Sequence, residues 1–600
     1  LTQRASFVSS DSTLTSLQQM TEQADRSNFF YFPTDCPHRE KNGWTGDASL
    51  SAEQLLLNFD CGKNLKEWLR NIKKTQNEEG AIPGIVPTGG WGFEWGNGPV
   101  WDAAIVTLPY YIYRYDGDIS AFSENADVIY RYLHYAASRR DERGLVAYGL
   151  GDWVDPFLHE KGRITAPLVV TDSITIFDIS AKTAALFRAA SMPAEAKWTE
   201  SFAEEMRASI RKHLIDDFKV AYGDCQTCQA MLLESGILYP EEISAAQREL
   251  LRIVHRDGDI NTTGVLGSRY LYHALAHAGA TDLAYKIITA KTRTCYGYWV
   301  EQGFTSLCES FQEVNLPGVD SRNHHFFGDI SSFMITEITG ICLNPGLHDR
   351  NSFVINPHVP KDLGYAAGSF DTVNGTLGCT FKQENGNITF HIFVPNNMHG
   401  SFIFGDVHRE LSAGEHCFTI SREPEHVEYD ALIQPEFIDL LKGKEGFELG
   451  IWLENSIWLV EKAGLVWRGR AGYNWDWHAC VDMTVGYTTD ERKLLIDEIM
   501  RKFKEVFGYY PKTVGSWALD AYSVGYMKEQ YHIEAVLICK EQWGTDGYSL
   551  WGGYYSGAYF PCKNNLLSPA QSTEEQIDVP VFRMLGSDPI DQYMSGIGTA

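Results

Sequence analysis

The residues best suited to chemistry lie in one short stretch near the start of the chain. From Thr34 to Leu50 the sequence reads TDCPHREKNGWTGDASL. Its Pro and Gly residues predict an irregular loop rather than one face of a helix. The loop carries three carboxylic acids, a guanidinium and an indole, which are Asp35, Glu40, Asp47, Arg39 and Trp44. Because like charges are costly to hold together, this combination indicates a binding site.

Such a loop has the groups that glycoside hydrolysis needs. Cleavage with inversion uses one carboxylic acid to protonate the leaving oxygen and a second carboxylate, roughly 6.5–9.5 Å away, to activate water. The loop can provide the acid, and its other carboxylates can hold sugar hydroxyls. The alternative is a structural loop in which the acids pair with Arg39 and Asp47 is the N-cap of the next helix. The residues alone leave both interpretations open.

The composition of the chain narrows the classes of partner. A net charge of −27 disfavours nucleic acid and anionic membranes, and it is compatible with a neutral ligand such as a sugar. No segment has the roughly 18 uninterrupted apolar residues of a membrane span. Aromatic residues make up 13% of the chain, and their rings can stack on ligands. The close pair Cys225 and Cys228 lacks a second pair to complete a zinc site, so we predict no metal and no cofactor.

The elements that must position this loop follow from the periodicity of apolar residues. Residues 1–345 show amphipathic helical segments that are not self-similar, which predicts a closed (α/α)6 barrel rather than a solenoid. Residues 346–430 alternate in short strands with Asn-Gly turns and predict a small antiparallel β-sandwich. Residues 431–600 alternate helix and strand and predict an α/β domain of unknown function, which we expect to be incomplete.

The stretch DCPHREKNGWTGDA resembles the signature of bacterial α-L-rhamnosidases, glycoside hydrolase family 78. Four later stretches are also similar to this family: GPVWDAAIVTLPYYIYRYDGD, YGLGDWVDP, YGYWVEQGFTSLCESF and SRNHHFFGDISSFM. The resemblance covers about residues 15–400. It implies a catalytic (α/α)6 barrel followed by a β-sandwich, which is the order that the periodicity predicts.

The resemblance implies an inverting exo-α-L-rhamnosidase that acts on terminal rhamnosyl residues of plant-type polysaccharides or glycosides. By position in the motifs, Glu40 would be the general acid and Glu309 the base that holds the attacking water. The remaining matched positions would bind the substrate: Asp35, Arg39, Trp44, Asp47, Trp101, Asp102, Asp152, Trp153 and His324. A tryptophan among these could form an apolar wall for the C5 methyl group of rhamnose.

Some positions depart from the family pattern. Lys41 and Asn42 stand where the family usually has Glu-Arg, and Cys308 stands where it usually has Trp. These changes bear on the preferred aglycone more than on the reaction. Glu313 lies four residues after Glu309 and is a second candidate for the base.

Two other functions remain open from the sequence. One is a related (α/α)6 enzyme, such as another glycosidase, a uronyl hydrolase or a lyase, and the other is a non-catalytic sugar-binding protein. The last domain weakly resembles polysaccharide-deacetylase-like β/α domains, without the residues for a second activity. The start, LTQRASFVSS, has no hydrophobic signal core, so export to the periplasm or medium is a conjecture. Neither the natural substrate nor the oligomeric state follows from the sequence.

Overall fold

The structure is a computed structural model, and it divides into two compact units at residues 1–422 and 423–600, which are treated separately below. It describes residues 1–87, 92–93, 95–157, 164–311, 321–384, 386–421, 449–453, 455–468, 486–516, 519–539, 542–543, 547–548 and 558–584. Among these residues, every helix is too short or too polar to cross a lipid bilayer.

The first unit is mainly helical up to residue 338. Its α-helices are Ser12–Ser27, Thr45–Leu50, Ala52–Asn58, Gly62–Thr75, Pro99–Asp102, Ala104–Asp116, Ser120–Ser123, Ala126–Ser138, Leu168–Ala189, Pro193–His213, Gln226–Glu234, Pro240–Arg256, Val265–His277, Thr281–Thr289, Tyr296–Glu301 and Asp329–Phe333. The last of these continues into a π-helix at Met334–Ile338.

Local sequence signals account for several of the helix ends. The first helix begins after Asp11, whose carboxylate accepts a hydrogen bond from the backbone N–H of Thr13 at 2.6 Å. Pro193 and Pro240 each occupy the first turn of a helix, where a missing N–H costs nothing. Gly117 ends the helix Ala104–Asp116 in the left-handed conformation that glycine adopts without strain.

Two larger sheets and one short strand pair complete the described part of the first unit. Their strands are β1 Thr2–Gln3, β2 Ala5–Ser9, β3 Phe59–Asp60, β4 Ile341–Leu343, β5 Ser352–Ile355, β6 Tyr365–Thr372, β7 Gly375–Glu384, β8 Asn387–Val394, β9 His399–Phe404, β10 Val407–Leu411 and β11 Gly414–Ser421. One five-stranded antiparallel sheet has the order β11-β8-β7-β6-β2, and a four-stranded sheet has the order β10-β9-β5-β4. The short strands β1 and β3 pair with each other.

The two sheets face each other across aromatic side chains. Phe390 of β8 lies 4.9 Å from Phe402 of β9 between ring centroids, and Phe402 lies 4.8 Å from Phe418 of β11. The arrangement differs from the predicted antiparallel sandwich in two respects. Strand β2 from the chain start forms one edge, and β5 pairs with β9 in parallel because these strands are not consecutive.

The second unit alternates helix and strand where the sequence predicts it. Helix Thr489–Phe507 precedes β13 Thr513–Ser516, and helix Ala521–Tyr531 precedes β14 Ala535–Cys539. The other described elements are helix Ile457–Lys462 and strands β12 Ile451–Trp452, β15 Gln542–Trp543, β16 Gly547–Tyr548, β17 Ala558–Tyr559, β18 Pro561–Cys562, β19 Asn565–Pro569 and β20 Val581–Met584. Strands β12, β13, β14 and β20 form a parallel sheet with β17 antiparallel at its edge.

We predict that Phe390→Ala destabilises the first unit by about 3–5 kcal/mol, because it removes a fully buried ring between the two sheets. Phe393→Ala on the same strand is the matched control, since its ring is 47% exposed on the opposite face. Thermal denaturation should show a large drop in Tm for Phe390→Ala and little change for Phe393→Ala. Equal shifts would contradict the packing described here.

Candidate active site

The loop between residues 28 and 45 is held in shape by its own polar groups. Asp35 donates its backbone N–H to the carbonyl of Asn42 at 3.0 Å, and its Oδ1 accepts the backbone N–H of Asn42 at 2.8 Å. Thr34 donates its backbone N–H to the carbonyl of Asn28 at 2.7 Å. These reciprocal bonds close residues 35–42 into a compact turn. Arg39 and Glu40 lie at its exposed tip.

Two glycines of the motif are required by close approach. A Cβ on Gly43 would lie 2.1 Å from the backbone oxygen of Val86, and a Cβ on Gly46 would lie 2.2 Å from the ring of Trp101. Any side chain at these positions would push the loop away from its neighbours. The Gly-Trp-Thr-Gly spacing of the motif therefore reflects packing of this loop against residues 86 and 101.

Glu40 is positioned by the indole of Trp44. The Nε1–H of Trp44 donates to Glu40 Oε2 at 2.8 Å, while the Glu40 side chain remains exposed. Trp44 itself is only 7% exposed and caps the start of helix Thr45–Leu50. A buried ring thus orients an exposed carboxyl group, which suits a group that must reach a bound ligand.

Glu309 comes from a segment far along the chain and meets the same loop. Arg39 Nη1 donates to Glu309 Oε2 at 3.1 Å. The backbone N–H of Ser321 donates to the same oxygen at 2.6 Å, and the N–H of Glu309 donates to the carbonyl of Ser321 at 2.8 Å. Arg39 therefore pairs with Glu309 and connects the loop of Glu40 to the second carboxylate.

The buried side chain of His324 lies between Asp47 of the first segment and Glu309 of the second. His324 Nε2 lies 2.7 Å from Asp47 Oδ1, and His324 Nδ1 lies 4.0 Å from Glu309 Oε2. Burial opposes a charge on the ring, but the Asp47, Glu309 and Asp35 carboxylates outweigh it and raise the pKa of His324. Asp47 lies inside helix Thr45–Leu50 and is not its N-cap, so the structural alternative for this residue is wrong.

Asp35 is a buried carboxylate beside the same pair. Burial and the neighbouring Asp47 raise the pKa of Asp35 to about 6, although hydrogen bonds from Cys36 and Asn42 act in the opposite direction. The thiol of Cys36 donates to Asp35 Oδ2 at 2.7 Å. Burial and Asp35 raise the pKa of this thiol to about 11, so Cys36 is a neutral donor.

Three tryptophan rings, those of Trp44, Trp95 and Trp153, pack in a row that begins at Glu40. Trp44 packs edge-on against Trp95 with ring centroids 5.8 Å apart, and Trp95 packs edge-on against Trp153 at 6.2 Å. Trp95 is 45% exposed, which leaves an open aromatic surface beside the acid loop. Such rings favour the apolar faces of sugars. Trp95 is not among the site residues that the sequence predicts.

Three predicted substrate ligands lie buried behind this surface. Asp152 accepts hydrogen bonds from Thr227 Oγ1 and from the N–H groups of Gly264, Leu266 and Gly267, so its carboxylate fixes the start of helix Val265–His277. Burial raises its pKa to about 6.

Asp102 and Trp101 are buried in the same way. Asp102 Oδ1 accepts the N–H of Gly98 at 3.2 Å, and burial raises the pKa of Asp102 to about 8. The Trp101 ring is 2% exposed and packs on Gly46.

The structure therefore separates the predicted site residues into two groups. One group lies buried behind the aromatic surface and consists of Trp101, Asp102 and Asp152. Those brought together around one point are Asp35, Arg39, Glu40, Trp44, Asp47, Glu309 and His324, with Trp153 at the end of the aromatic surface. Ser321 and Cys36 also contact this group, and no pattern in the sequence assigns them a role. Glu313, the second candidate for the base, lies outside the described residues.

The site residues offer one set of possible metal donors. Ligand atoms of Asp35, Cys36 and His324 lie within 4.8 Å of one another. The Cys36 thiol is bound to Asp35, and His324 Nε2 is bound to Asp47, so both donors already have partners within the protein. The absence of a metal and of a cofactor stays a prediction.

We predict that His325 makes the folded state sensitive to acid. Its ring is 1% exposed and contacts Ser51 Oγ and the Thr34 carbonyl, and burial lowers its pKa to about 4. Between pH 6.5 and 4 the unfolded chain takes up a proton that the folded chain does not. The free energy of unfolding should therefore fall by about 3 kcal/mol as pH decreases through this window.

The measurement is urea denaturation at several pH values for wild type and His325→Gln. The variant should lose this part of the pH dependence, whatever its stability at pH 7. His391→Gln, which changes an exposed histidine of β8, should keep the dependence of the wild type. An unchanged slope in His325→Gln would contradict the prediction.

Comparisons with known proteins identify the family of this chain. The family described as bacterial alpha-L-rhamnosidase 6 hairpin glycosidase domain matches residues 2–338, and the bacterial alpha-L-rhamnosidase C-terminal domain matches residues 350–417. An alpha-L-rhamnosidase of Streptomyces avermitilis is 26% identical over 423 residues, covering 66% of this chain and 40% of the relative. One of Alteromonas sp. (strain LOR) is 26% identical over 410 residues, covering 66% and 44%. The chain thus spans less than half the length of these relatives.

Solved structures show the same fold. The structure of Streptomyces avermitilis alpha-L-rhamnosidase complexed with L-rhamnose superposes with a TM-score of 0.65 at 23% identity, covering 70% of this chain and 42% of that one. The native enzyme from Aspergillus terreus superposes with a TM-score of 0.66 at 22% identity, covering 70% and 50%. The helical part is a six-hairpin glycosidase domain, and sheet-rich domains follow it. Because the first match covers more than half of the 600 residues, this chain belongs to the bacterial α-L-rhamnosidase six-hairpin glycosidase family.

Proposed function

We propose that this protein is an inverting exo-α-L-rhamnosidase that acts without a cofactor. The observation that carries the proposal is the contact between Arg39 and Glu309 at 3.1 Å. It joins the loop of Glu40 to a second carboxylate 270 positions away from Arg39 in the chain. Inverting hydrolysis needs two such carboxyl groups at one site.

Glu40 acts as the general acid in this proposal. Its exposed carboxyl group is held by the indole of Trp44, so it can reach the oxygen of a glycosidic bond entering from solvent. Proton donation to that oxygen stabilises the departing aglycone as the bond to C1 breaks. The positions after it, Lys41 and Asn42, would contact the aglycone.

Glu309 acts as the general base. The Ser321 N–H and the Arg39 guanidinium both bind Oε2, which fixes the orientation of the carboxylate. His324 Nδ1 lies 4.0 Å from the same oxygen, and the neighbouring carboxylates raise the pKa of this ring. Glu309 would remove a proton from a water that attacks C1 on the face opposite the leaving group.

The surrounding residues would hold the sugar. Asp35 and Asp47 supply carboxylates for its hydroxyl groups, and Arg39 supplies a guanidinium. The rings of Trp44 and Trp153, with Trp95 between them, supply the apolar wall that the C5 methyl group of a 6-deoxy sugar requires. The names of the relatives, all alpha-L-rhamnosidases, support rhamnose as that sugar.

The buried residues behind the wall have a different role in this proposal. The Asp152 carboxylate binds three backbone N–H groups, Asp102 binds the N–H of Gly98, and Trp101 packs on Gly46. We propose that they position the loops that bear the tryptophans and Asp47. Contact of their side chains with the sugar, as the resemblance implies, stays a prediction.

The proposal extends to the finer architecture. The six hairpins would close as an (α/α)6 barrel, with the candidate site formed by loops that precede helices Thr45–Leu50, Pro99–Asp102, Leu168–Ala189, Val265–His277 and Asp329–Phe333. Domain boundaries at 345 and 430 stay predictions, and no function is proposed for residues 431–600. The substrate would be a rhamnose-containing glycan or glycoside.

We predict that Glu40→Gln and Glu309→Gln each lower kcat by about 10²–10⁴-fold on p-nitrophenyl α-L-rhamnopyranoside, because each removes one proton transfer. Glu301→Gln is the matched control, since Glu301 is an exposed residue paired with Lys291 and should keep wild-type turnover. Nuclear magnetic resonance of the early product should show β-rhamnose from the wild type, as inversion requires.

The other outcomes distinguish the alternatives. Early release of α-rhamnose would contradict the inverting mechanism. Turnover of another aryl glycoside but not of the rhamnoside would indicate a related enzyme of different specificity. Sugar binding by calorimetry with no turnover of any substrate would indicate a non-catalytic sugar-binding protein.

We also predict a specific effect of Arg39→Gln. Loss of the guanidinium breaks the contact with Glu309, so kcat/KM should fall by about 10-fold or more while the thermal stability changes little, because this ion pair is partly exposed. Arg188→Gln, which breaks an exposed pair with Glu200, should change neither quantity. A large loss of stability in Arg39→Gln with unchanged kinetics would show that the contact is only structural.

A further inference from the structure

Three side chains outside the candidate active site bring metal-binding atoms together. His277 is the last residue of helix Val265–His277, Glu337 lies in the π-helix Met334–Ile338, and His358 follows strand β5. One ligand atom of each residue lies within 4.8 Å of the others. π-Helical turns are rare and frequently occur at functional sites.

The distances within this cluster match those of a tetrahedral metal site. His277 Nε2 lies 3.3 Å from Glu337 Oε2, and His358 Nε2 lies 3.5 Å from the same oxygen. Zinc binds histidine nitrogen and carboxylate oxygen at roughly 2.0–2.2 Å, so two ligands at a tetrahedral angle are roughly 3.3–3.5 Å apart. Both distances to Glu337 Oε2 therefore fall in the range expected for ligands that share one zinc ion.

Partners behind these ligands orient them as in known metal sites. The Nδ1 of His277 lies 3.0 Å from Glu234 Oε1, which directs Nε2 toward Glu337. Glu337 Oε1 lies 2.8 Å from His273 Nδ1, which leaves Oε2 for the cluster. A carboxylate on the second nitrogen of a histidine is the usual support of a metal-bound imidazole.

His358 is the member whose position is hardest to explain without a ligand. Its backbone N–H donates to the carbonyl of Glu337 at 2.7 Å, which fixes the residue beside the π-helix. Its Nε2 is shielded from solvent, yet among the described residues it has no hydrogen-bond partner.

We propose that His277 Nε2, Glu337 Oε2 and His358 Nε2 bind one divalent transition-metal ion, with zinc as the expected occupant and water in the fourth position. The ligands come from three separate segments of the chain. No local spacing marks them, which is why the sequence predicts no metal. The ion would hold the end of helix Val265–His277 and the π-helix against the segment that follows β5.

The test is isothermal titration of the full chain with Zn²⁺. Wild type should bind one equivalent with micromolar or tighter affinity, and His358→Gln should bind it about 100-fold more weakly or not at all. His399→Gln is the matched control, because His399 pairs with Asp349 at 3.1 Å on the exposed surface. At saturating zinc the Tm should rise by about 2–5 °C in wild type and His399→Gln, but not in His358→Gln.

Other results would overturn the proposal. Equal zinc affinity in wild type and His358→Gln would assign the binding to other residues, and the cluster would then be an ion-pair network around Glu337. Absence of binding to the wild type would lead to the same conclusion. If His358→Gln fails to fold, His277→Gln is the second variant with the same expected loss.

Cobalt(II) gives a measurement that needs no variant. Strong visible absorption of the Co²⁺-loaded wild type, removed by added Zn²⁺, supports a tetrahedral site, and the weak spectrum of hydrated Co²⁺ would contradict it. The rhamnosidase activity of His358→Gln should equal that of wild type, so this result is independent of the proposed function.

Discussion

The geometry of the candidate active site depends on the buried contact between Asp47 and His324. The two atoms are 2.7 Å apart, and both side chains are about 95% buried. Removing one partner of such a pair leaves a buried charge, at a cost of about 3–5 kcal/mol. The contact fixes helix Thr45–Leu50 to the segment that contains Ser321, so the pairing of Arg39 with Glu309 follows from it. The exposed contact between Arg39 and Glu309 could not hold these two segments together by itself, because an exposed ion pair contributes only about 0–1 kcal/mol.

The charged side chains around this pair differ in how deeply they are buried. Asp35 and Asp47 are inside, whereas Arg39 and Glu40 are at the exposed tip of the loop. The close approaches at Gly43 and Gly46 allow the loop to lie directly on residues 86 and 101. A site of this kind can bring an exposed carboxyl group to a ligand from solvent while the buried carboxylates stay in fixed positions.

Helix Val265–His277 connects the candidate active site with the proposed metal site. Its first N–H groups bind the carboxylate of Asp152, as the positive end of a helix dipole favours. Its last residue, His277, belongs to the proposed metal site. The negative end of the same dipole favours a cation there. In these proposals, one helix supports the loops of the candidate active site at its start and a cation at its end, both through its dipole.

The sequence by itself determined the features that depend on residues close to one another along the chain. Apolar periodicity predicted the helices and the strands β7 and β8, and the DCPHREKNGWTGDA motif predicted the acid loop. Only the tertiary structure decided that Arg39 pairs with Glu309 rather than with Glu40, that the Asp152 carboxylate binds backbone N–H groups, and that His358 meets His277. It also placed strand β2 in a sheet with β6, more than 350 positions later. These contacts join distant segments, and their partners are selected by how helices and sheets pack, which no local pattern encodes.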